Sequence, residues 1–233
     1  MSKIEKKVIL FLVEGISDEV SFQGIWEEFF ENNDVRVFVL RCDITTQNFP
    51  TVSNILAKFK DPLDRFFQET KLKKDDIQKI VHFIDTDGAF APDFCIEKSS
   101  SNTIRYTEEK ILTANPEKII KRNNCKKAIV KKLYTTSTIY DGIPYEIYYL
   151  SRNLEHVLHN KIDNLTDLEK KNFSEEFDEK YAGRLEDFLT FINNPSFAVQ
   201  KDFRESWNFI MESTNSLHRY TNIHLLFKNP SIQ

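Results

Sequence analysis

Two apolar runs that end abruptly in carboxylates constrain this chain more than any other feature. Val8-Ile9-Leu10-Phe11-Leu12-Val13 runs straight into Glu14-Gly15-Ile16-Ser17-Asp18, and Ile80-Val81-His82-Phe83-Ile84 runs into Asp85-Thr86-Asp87-Gly88. Uninterrupted apolar segments of this length predict buried strands. Carboxylates at the ends of neighbouring strands enter one shared space, the crevice where open α/β sheets bind ligands. Acids gathered in a crevice repel one another unless a cation neutralises them, and an all-oxygen donor set suits Mg²⁺ or Mn²⁺.

The segments between and after these runs predict the rest of the fold. Ser17 is expected to cap a helix reaching about Asn32, with Val20, Phe22, Ile25, Trp26, Phe29 and Phe30 on its apolar face. Val35 to Arg41 predicts a second strand, ending at Cys42-Asp43. Pro50 is expected to open a helical stretch with Val52, Ile55, Leu56 and Phe59 on one face, continued by Leu63, Phe66 and Phe67 after Pro62. With Lys79 to Ile84 as strand three, the strand–helix order predicts parallel pairing through right-handed crossovers. Ala89 to Thr103 reads as a polar loop beside the acids.

Asn115 and Pro116 start a helix running to about Leu133, Tyr145 to Leu150 is a fourth strand, and a helix begins within Ser151 to His159. Thr166-Asp167-Leu168-Glu169 is a capping box. Further helices are expected over Arg184–Asn193 and Phe203–Glu212, broken by Asn194-Pro195, and Ile223 to Phe227 is a short strand or a docked tail. The expected fold class is α/β, an open and mainly parallel sheet flanked by helices. The soft boundary at Lys161–Thr166 divides a metal-binding part, 1–160, from a helical C-terminal extension, 161–233, packed on it.

Composition narrows the function classes. The net charge is −4, from 32 basic and 36 acidic side chains, which excludes a polycation that coats nucleic acid over its whole surface but not a local basic patch. Cys42, Cys95 and Cys125 are odd in number and widely spaced, so they form neither a disulfide framework nor a zinc motif. Reduced thiols fit a cytoplasmic protein. The apolar run after the charged N-terminus is too short for a signal peptide or a membrane span.

Each acid has a plain reading beside a functional one. Asp18 in the first turn of a helix is favourable against the helix dipole without any ligand, and Asp-Gly is common in turns. Glu14 has no such account, because it follows six apolar residues and precedes a glycine. Asp85 and Asp87 present alternate carboxylates after a buried strand, and Gly88 permits close approach of backbone or ligand.

The Glu14 and Asp85-x-Asp87 motifs, in this order and about 70 positions apart, resemble the Toprim domain of topoisomerases, primases and nucleases related to the overcoming-lysogenization-defect proteins. Glu14-Gly15-x-Ser17-Asp18 is similar to the form found in defence-related Toprim nucleases. The resemblance implies divalent metal held by Glu14, Asp85 and Asp87, joined by Asp18. Asn153-Leu154-Glu155-His156-Val157-Leu158 matches a later acidic turn of those relatives and adds Glu155. It covers residues 8 to about 160.

The resemblance further implies an Mg²⁺- or Mn²⁺-dependent nuclease with two ions, cleaving DNA or RNA (tRNA included). Such proteins act as defence or toxin effectors restrained by an ATPase, a reverse transcriptase or a guide complex, and a homo-oligomer is compatible with them. Relatives carry a lysine near the metals that no motif locates here. Lys161, Lys180, Lys201 and Arg152 are candidates, each with a plain surface role.

Several signals stand outside the resemblance. Lys121-Arg122, Lys126-Lys127 and Lys131-Lys132 make a basic run on one helix, either a solvated face or a phosphate contact. His156 and His159 could ligate a transition metal or be core residues. Trp207 to Ile210 and Ser216 to Asn222 mix aromatic and polar residues, as packing on the sheet or as a substrate contact. The competing readings are a haloacid-dehalogenase-like phosphatase, with Asp85 as nucleophile and Asp87 as acid–base, and a non-catalytic Toprim binding module. The phosphatase motif normally opens its domain and carries threonine where Ala89 stands, and it leaves Glu14 without a role.

Overall fold

A computed structural model of the chain describes residues 7–31, 35–45, 50–162 and 164–228. Five strands form one sheet. They are β1 (Lys7–Val13), β2 (Val35–Arg41), β3 (Ile77–Asp85), a two-residue β7 (Thr138–Ile139) and β8 (Ile143–Leu150), in the order β2-β1-β3-β8-β7. The β1–β2, β1–β3 and β3–β8 pairs are parallel, and β7 pairs antiparallel with β8. The class is α/β, with a mostly parallel mixed sheet.

Both faces of the sheet are buried, which accounts for the unalternating apolar strands. Val8, Leu10 and Leu12 of β1 enter one core with Phe59, Leu63, Ile129, Leu133 and Trp207. Ile9, Phe11 and Val13 enter the other, where Phe11 stacks on Trp26 with ring centroids 3.8 Å apart and Phe22, Phe177 and Phe188 complete an aromatic cluster. The first core is covered by α2 (Lys60–Thr70) and α3 (Pro116–Tyr134), and by α7 (Phe203–Ile210) through Trp207. The second is covered by α1 (Ile16–Phe30), α5 (Asp167–Tyr181) and α6 (Leu185–Ile192). Residues beyond 160 thus pack on both faces of the sheet, and the tail expected at 223–227 is a buried 3₁₀ segment, Ile223–Lys228.

Three expectations change. Gly15, not Ser17, is the N-cap of α1, and the Asp18 carboxylate accepts the Gly15 N–H at 2.9 Å. The helix ends at Phe30, and Asn32 lies outside the described residues. Pro50 opens no helix. Residues 52–56 form turns rather than a regular helix, with the Asn54 side chain accepting the Thr51 N–H at 2.7 Å and Val52 and Leu56 left exposed. Within Ala89–Thr103, the strand β4 (Ile96–Lys98) joins β5 (Arg105–Tyr106) and β6 (Ile111–Thr113) in a small separate sheet, order β4-β6-β5. Strands of two or three residues carry too little periodicity to be read from sequence.

Asn115 caps α3 as expected, accepting the Lys118 N–H at 3.0 Å, and Thr166 and Glu169 form the capping box of α5. The three cysteines are free thiols. Among the described residues no helix is long and apolar enough to cross a membrane.

Candidate metal centre

The strand order sets the position of the acids. From β1 the chain crosses through α1 to β2 on one side, then returns through α2 to β3 on the other. The order therefore reverses between β1 and β3, the point at which parallel α/β sheets open a crevice at their carboxyl ends. Glu14 stands one residue past β1 and Asp85 is the last residue of β3, so they flank this point on adjacent parallel strands.

Asp87 follows in a turn with φ 50°, and Gly88 continues it at φ 65°. Aspartate is among the few side chains that adopt this left-handed backbone, and glycine does so without strain. A Cβ at Gly88 would lie 2.7 Å from Leu217 Cδ2, so any larger residue there must displace that side chain. The turn is held by β8. Thr86 N–H donates to Leu150 O and Asp87 N–H donates to Arg152 O, each at 2.9 Å, while Arg152 N–H donates to Thr86 Oγ1 at 2.9 Å.

The same loop after β8 carries the fifth acid. Asn153 caps α4 (Leu154–His159), accepting the His156 N–H at 3.0 Å, which places Glu155 in the first turn. Glu14, Asp18, Asp85 and Glu155 line one cleft of about 630 Å³, with Lys170 and Lys171 of α5 on its wall. Lys170 Nζ lies 3.9 Å from Glu155 Oε1. Glu14 also lines a second cleft, of about 510 Å³, together with Asp43, Lys58 and Arg65.

Asp87 turns instead toward α3. The ammonium of Lys126, its side chain 2% exposed, is paired with Asp87 Oδ2 and lies 3.9 Å from Glu14 Oε1. Arg122, one turn earlier, donates to the Asp87 carbonyl at 3.1 Å and to Tyr106 Oη at 3.2 Å. Lys126 was grouped by sequence with a solvated or phosphate-contacting basic run, yet it is a buried countercharge of the acids. A lysine on the inner side of a mostly polar helix leaves no composition signal. Its place in the 3.6-residue period, in register with buried Ile119, Ile129 and Leu133, was the signal that could have found it.

The four earlier candidates stand elsewhere. Lys161 and Lys180 lie over the rings of Phe173 and Tyr181, and Lys201 is exposed. Arg152 is buried, lies over Tyr106 and donates to Ile162 O. His156 is buried and His159 packs between Phe173 and Phe177, and burial lowers both to about 4, which fits the core reading of this pair.

The electrostatics are those of acids short of positive charge. Burial pushes Glu14 up to about 8, opposed first by Lys126; Asp87 and Asp43 raise it further, and the hydroxyl of Thr45, donating to Glu14 Oε1 at 2.9 Å, lowers it. Burial raises Asp18 to about 7, against the stabilising Gly15 N–H and with the Glu155 carboxylate adding to the rise. Asp85 is raised well above the usual carboxylate range by burial and then by Glu14, Asp18 and Asp87.

Among the described residues no three acid, imidazole or thiolate groups already converge as a metal cage. Like charges keep apart, and Lys126 neutralises one edge of the group. The donors nonetheless fit a hard divalent cation. Those facing the cleft are carboxylates, and Asp85 Oδ1 is buried with no hydrogen-bond partner, so it lacks the compensation a buried carboxylate oxygen requires. Sequence did not single out Asp43 and Thr45, which flank Glu14 from the loop after β2.

Comparison with family models, with curated proteins and with solved structures returns no match.

Proposed function

We propose that this chain is a Toprim-like, Mg²⁺- or Mn²⁺-dependent nuclease that hydrolyses phosphodiester bonds of DNA or RNA. One observation carries the reading. Carboxylates from the ends of two adjacent parallel strands flank the point where strand order reverses, and one of them holds a buried, unpartnered oxygen. Glu14, Asp18, Asp85 and Glu155 would hold the cations from the cleft, with Asp87 on the α3 side.

Bound divalent cations would supply Lewis acidity and lower the pKa of an attacking water, so no histidine base is required. The chain's own residues supply the rest. Gly15 N–H orients the Asp18 carboxylate, Thr45 orients Glu14, and the β8 exit fixes the Asp85–Asp87 turn. Lys126 places a permanent positive charge beside Glu14 and Asp87, where it can stabilise the extra negative charge of a pentacoordinate phosphorus. The Toprim resemblance further suggests a defence or toxin effector.

The test is cleavage of plasmid DNA and of total tRNA with Mg²⁺ or Mn²⁺ by the wild type, Glu14→Gln and Asp85→Asn. Cleavage by the wild type alone, abolished by EDTA, is the expected result. A wild type that instead hydrolyses a small phosphomonoester, with Asp85→Asn inactive and Glu14→Gln active, would replace the nuclease with the phosphatase.

A further inference from the structure

The outer face of α3 carries positive charge that the fold leaves unused. Lys118, Lys121, Lys131 and Lys132 are all exposed, and Glu117 is the only acid of this helix. Among the described residues none of the four takes part in a salt bridge. At 3.6 residues per turn, Lys118, Lys121 and Lys132 lie within about 60° of one another, and the row from 118 to 132 is about 21 Å long. Like charges at i,i+3 and i,i+4, such as Lys118 with Lys121 and Arg122, oppose helix formation. In a chain of net charge −4 that repulsion is local, and a polyanion relieves it.

The row also has a direction. Next around the helix from the exposed lysines comes Arg122, which donates to the Asp87 carbonyl, and then Lys126, paired with the Asp87 carboxylate. The positive side of α3 thus turns continuously from solvent into the acid cluster. A strand following it meets one phosphate per 3.4 Å of axis, about six over this length.

We infer that the Lys118–Lys121–Lys132 face of α3 docks the sugar–phosphate backbone of nucleic acid and leads it to the acid centre. The inference rests on the nuclease reading above. It adds that affinity comes from sequence-independent phosphate contacts on this helix, and that the substrate is a polymer several nucleotides long.

The test compares the wild type with the triple variant K118Q, K121Q, K132Q. Binding of a fluorescent 30-nucleotide DNA and its RNA counterpart is followed by anisotropy in EDTA as salt is raised. Hydrolysis of bis(p-nitrophenyl) phosphate with Mn²⁺ is measured in parallel. Loss of three phosphate contacts should flatten the slope of log K against log salt by about 2, with the small diester hydrolysed at an unchanged rate.

An unchanged slope with wild-type affinity would overturn the docking face and leave the nuclease intact. A flattened slope in a protein that hydrolyses neither diester would support docking and remove the nuclease. A wild type that neither binds nor cleaves nucleic acid would overturn both.

Discussion

The ammonium of Lys126 lies beside both Asp87 and Glu14, residues that leave different strands on either side of the reversal in strand order. One buried side chain from α3 therefore couples the two acidic motifs. Replacing it by methionine keeps the bulk and removes the charge, leaving two carboxylates without their compensating partner. Loss of one member of a buried ion pair costs about 3–5 kcal/mol, less where the acids keep some solvent, as Asp87 does at 32% exposure. Lys126→Met should lower the unfolding free energy by about 2–3 kcal/mol in urea denaturation, and a neutral change beyond the cluster, Lys201→Met, should not.

The raised acids make the cation-free protein sensitive to alkali. A carboxyl whose folded-state pKa lies above its unfolded value binds more protons when folded. Its stabilising contribution is complete below the unfolded value, 4.5 for Glu14 and 3.8 for Asp18, and is lost as pH rises toward the folded value, about 8 for Glu14 and about 7 for Asp18. Burial holds His82, His156, His159 and His224 below 6.5, and these act in the opposite sense up to that value, so the melting temperature in EDTA should fall between pH 7 and pH 9. Asp85→Asn removes one buried charge and should flatten that fall, raising the pH 8 midpoint by a few degrees while abolishing cleavage. A steeper fall in Asp85→Asn than in the wild type would contradict this account.

Cations should reverse the alkaline loss. Mg²⁺ or Mn²⁺ at a hundred times its dissociation constant adds about 2.7 kcal/mol to stability, roughly 5 °C or more for a chain of this size. Differential scanning calorimetry at pH 8 should show that gain in the wild type and its disappearance in Glu14→Gln with Asp85→Asn combined. The gain should be smaller at pH 5, where protons compete for the same oxygens.

Gly88→Ala tests the acidic turn without touching an acid. The new Cβ meets Leu217 Cδ2 and must adopt φ 65°. The cost is about 2 kcal/mol by thermal or urea unfolding, of which only the steric part is recovered by adding Leu217→Ala.

The buried strands β1, β3 and β8 were legible because covered parallel strands need no polar alternation, and the acids Glu14, Asp85 and Asp87 were legible because they close uninterrupted apolar runs. Asp18 carried two readings, and the structure assigns it both a cap on Gly15 and a place in the cleft with Asp85. Lys126 and Thr45 were not legible as site residues. Their roles depend on which face of α3 packs inward and where the loop after β2 returns, both long-range outcomes of packing. The short β4-β6-β5 sheet was hidden for the opposite reason, having too few residues to show any period.

The acidic turn is braced by Leu150 and Arg152, and that corner is itself held by residues about 70 positions later. Ser151 N–H donates to Tyr220 O at 2.9 Å, Thr221 Oγ1 donates to Tyr149 O at 2.6 Å, and Tyr149 N–H donates to Asn222 Oδ1 at 2.8 Å. A chain emerging from the ribosome has both acidic motifs long before it has the segment that steadies them. Maturation of the acid centre then waits for that later segment, so a nascent chain that carries both motifs holds them unbraced until residues 220–222 have been made.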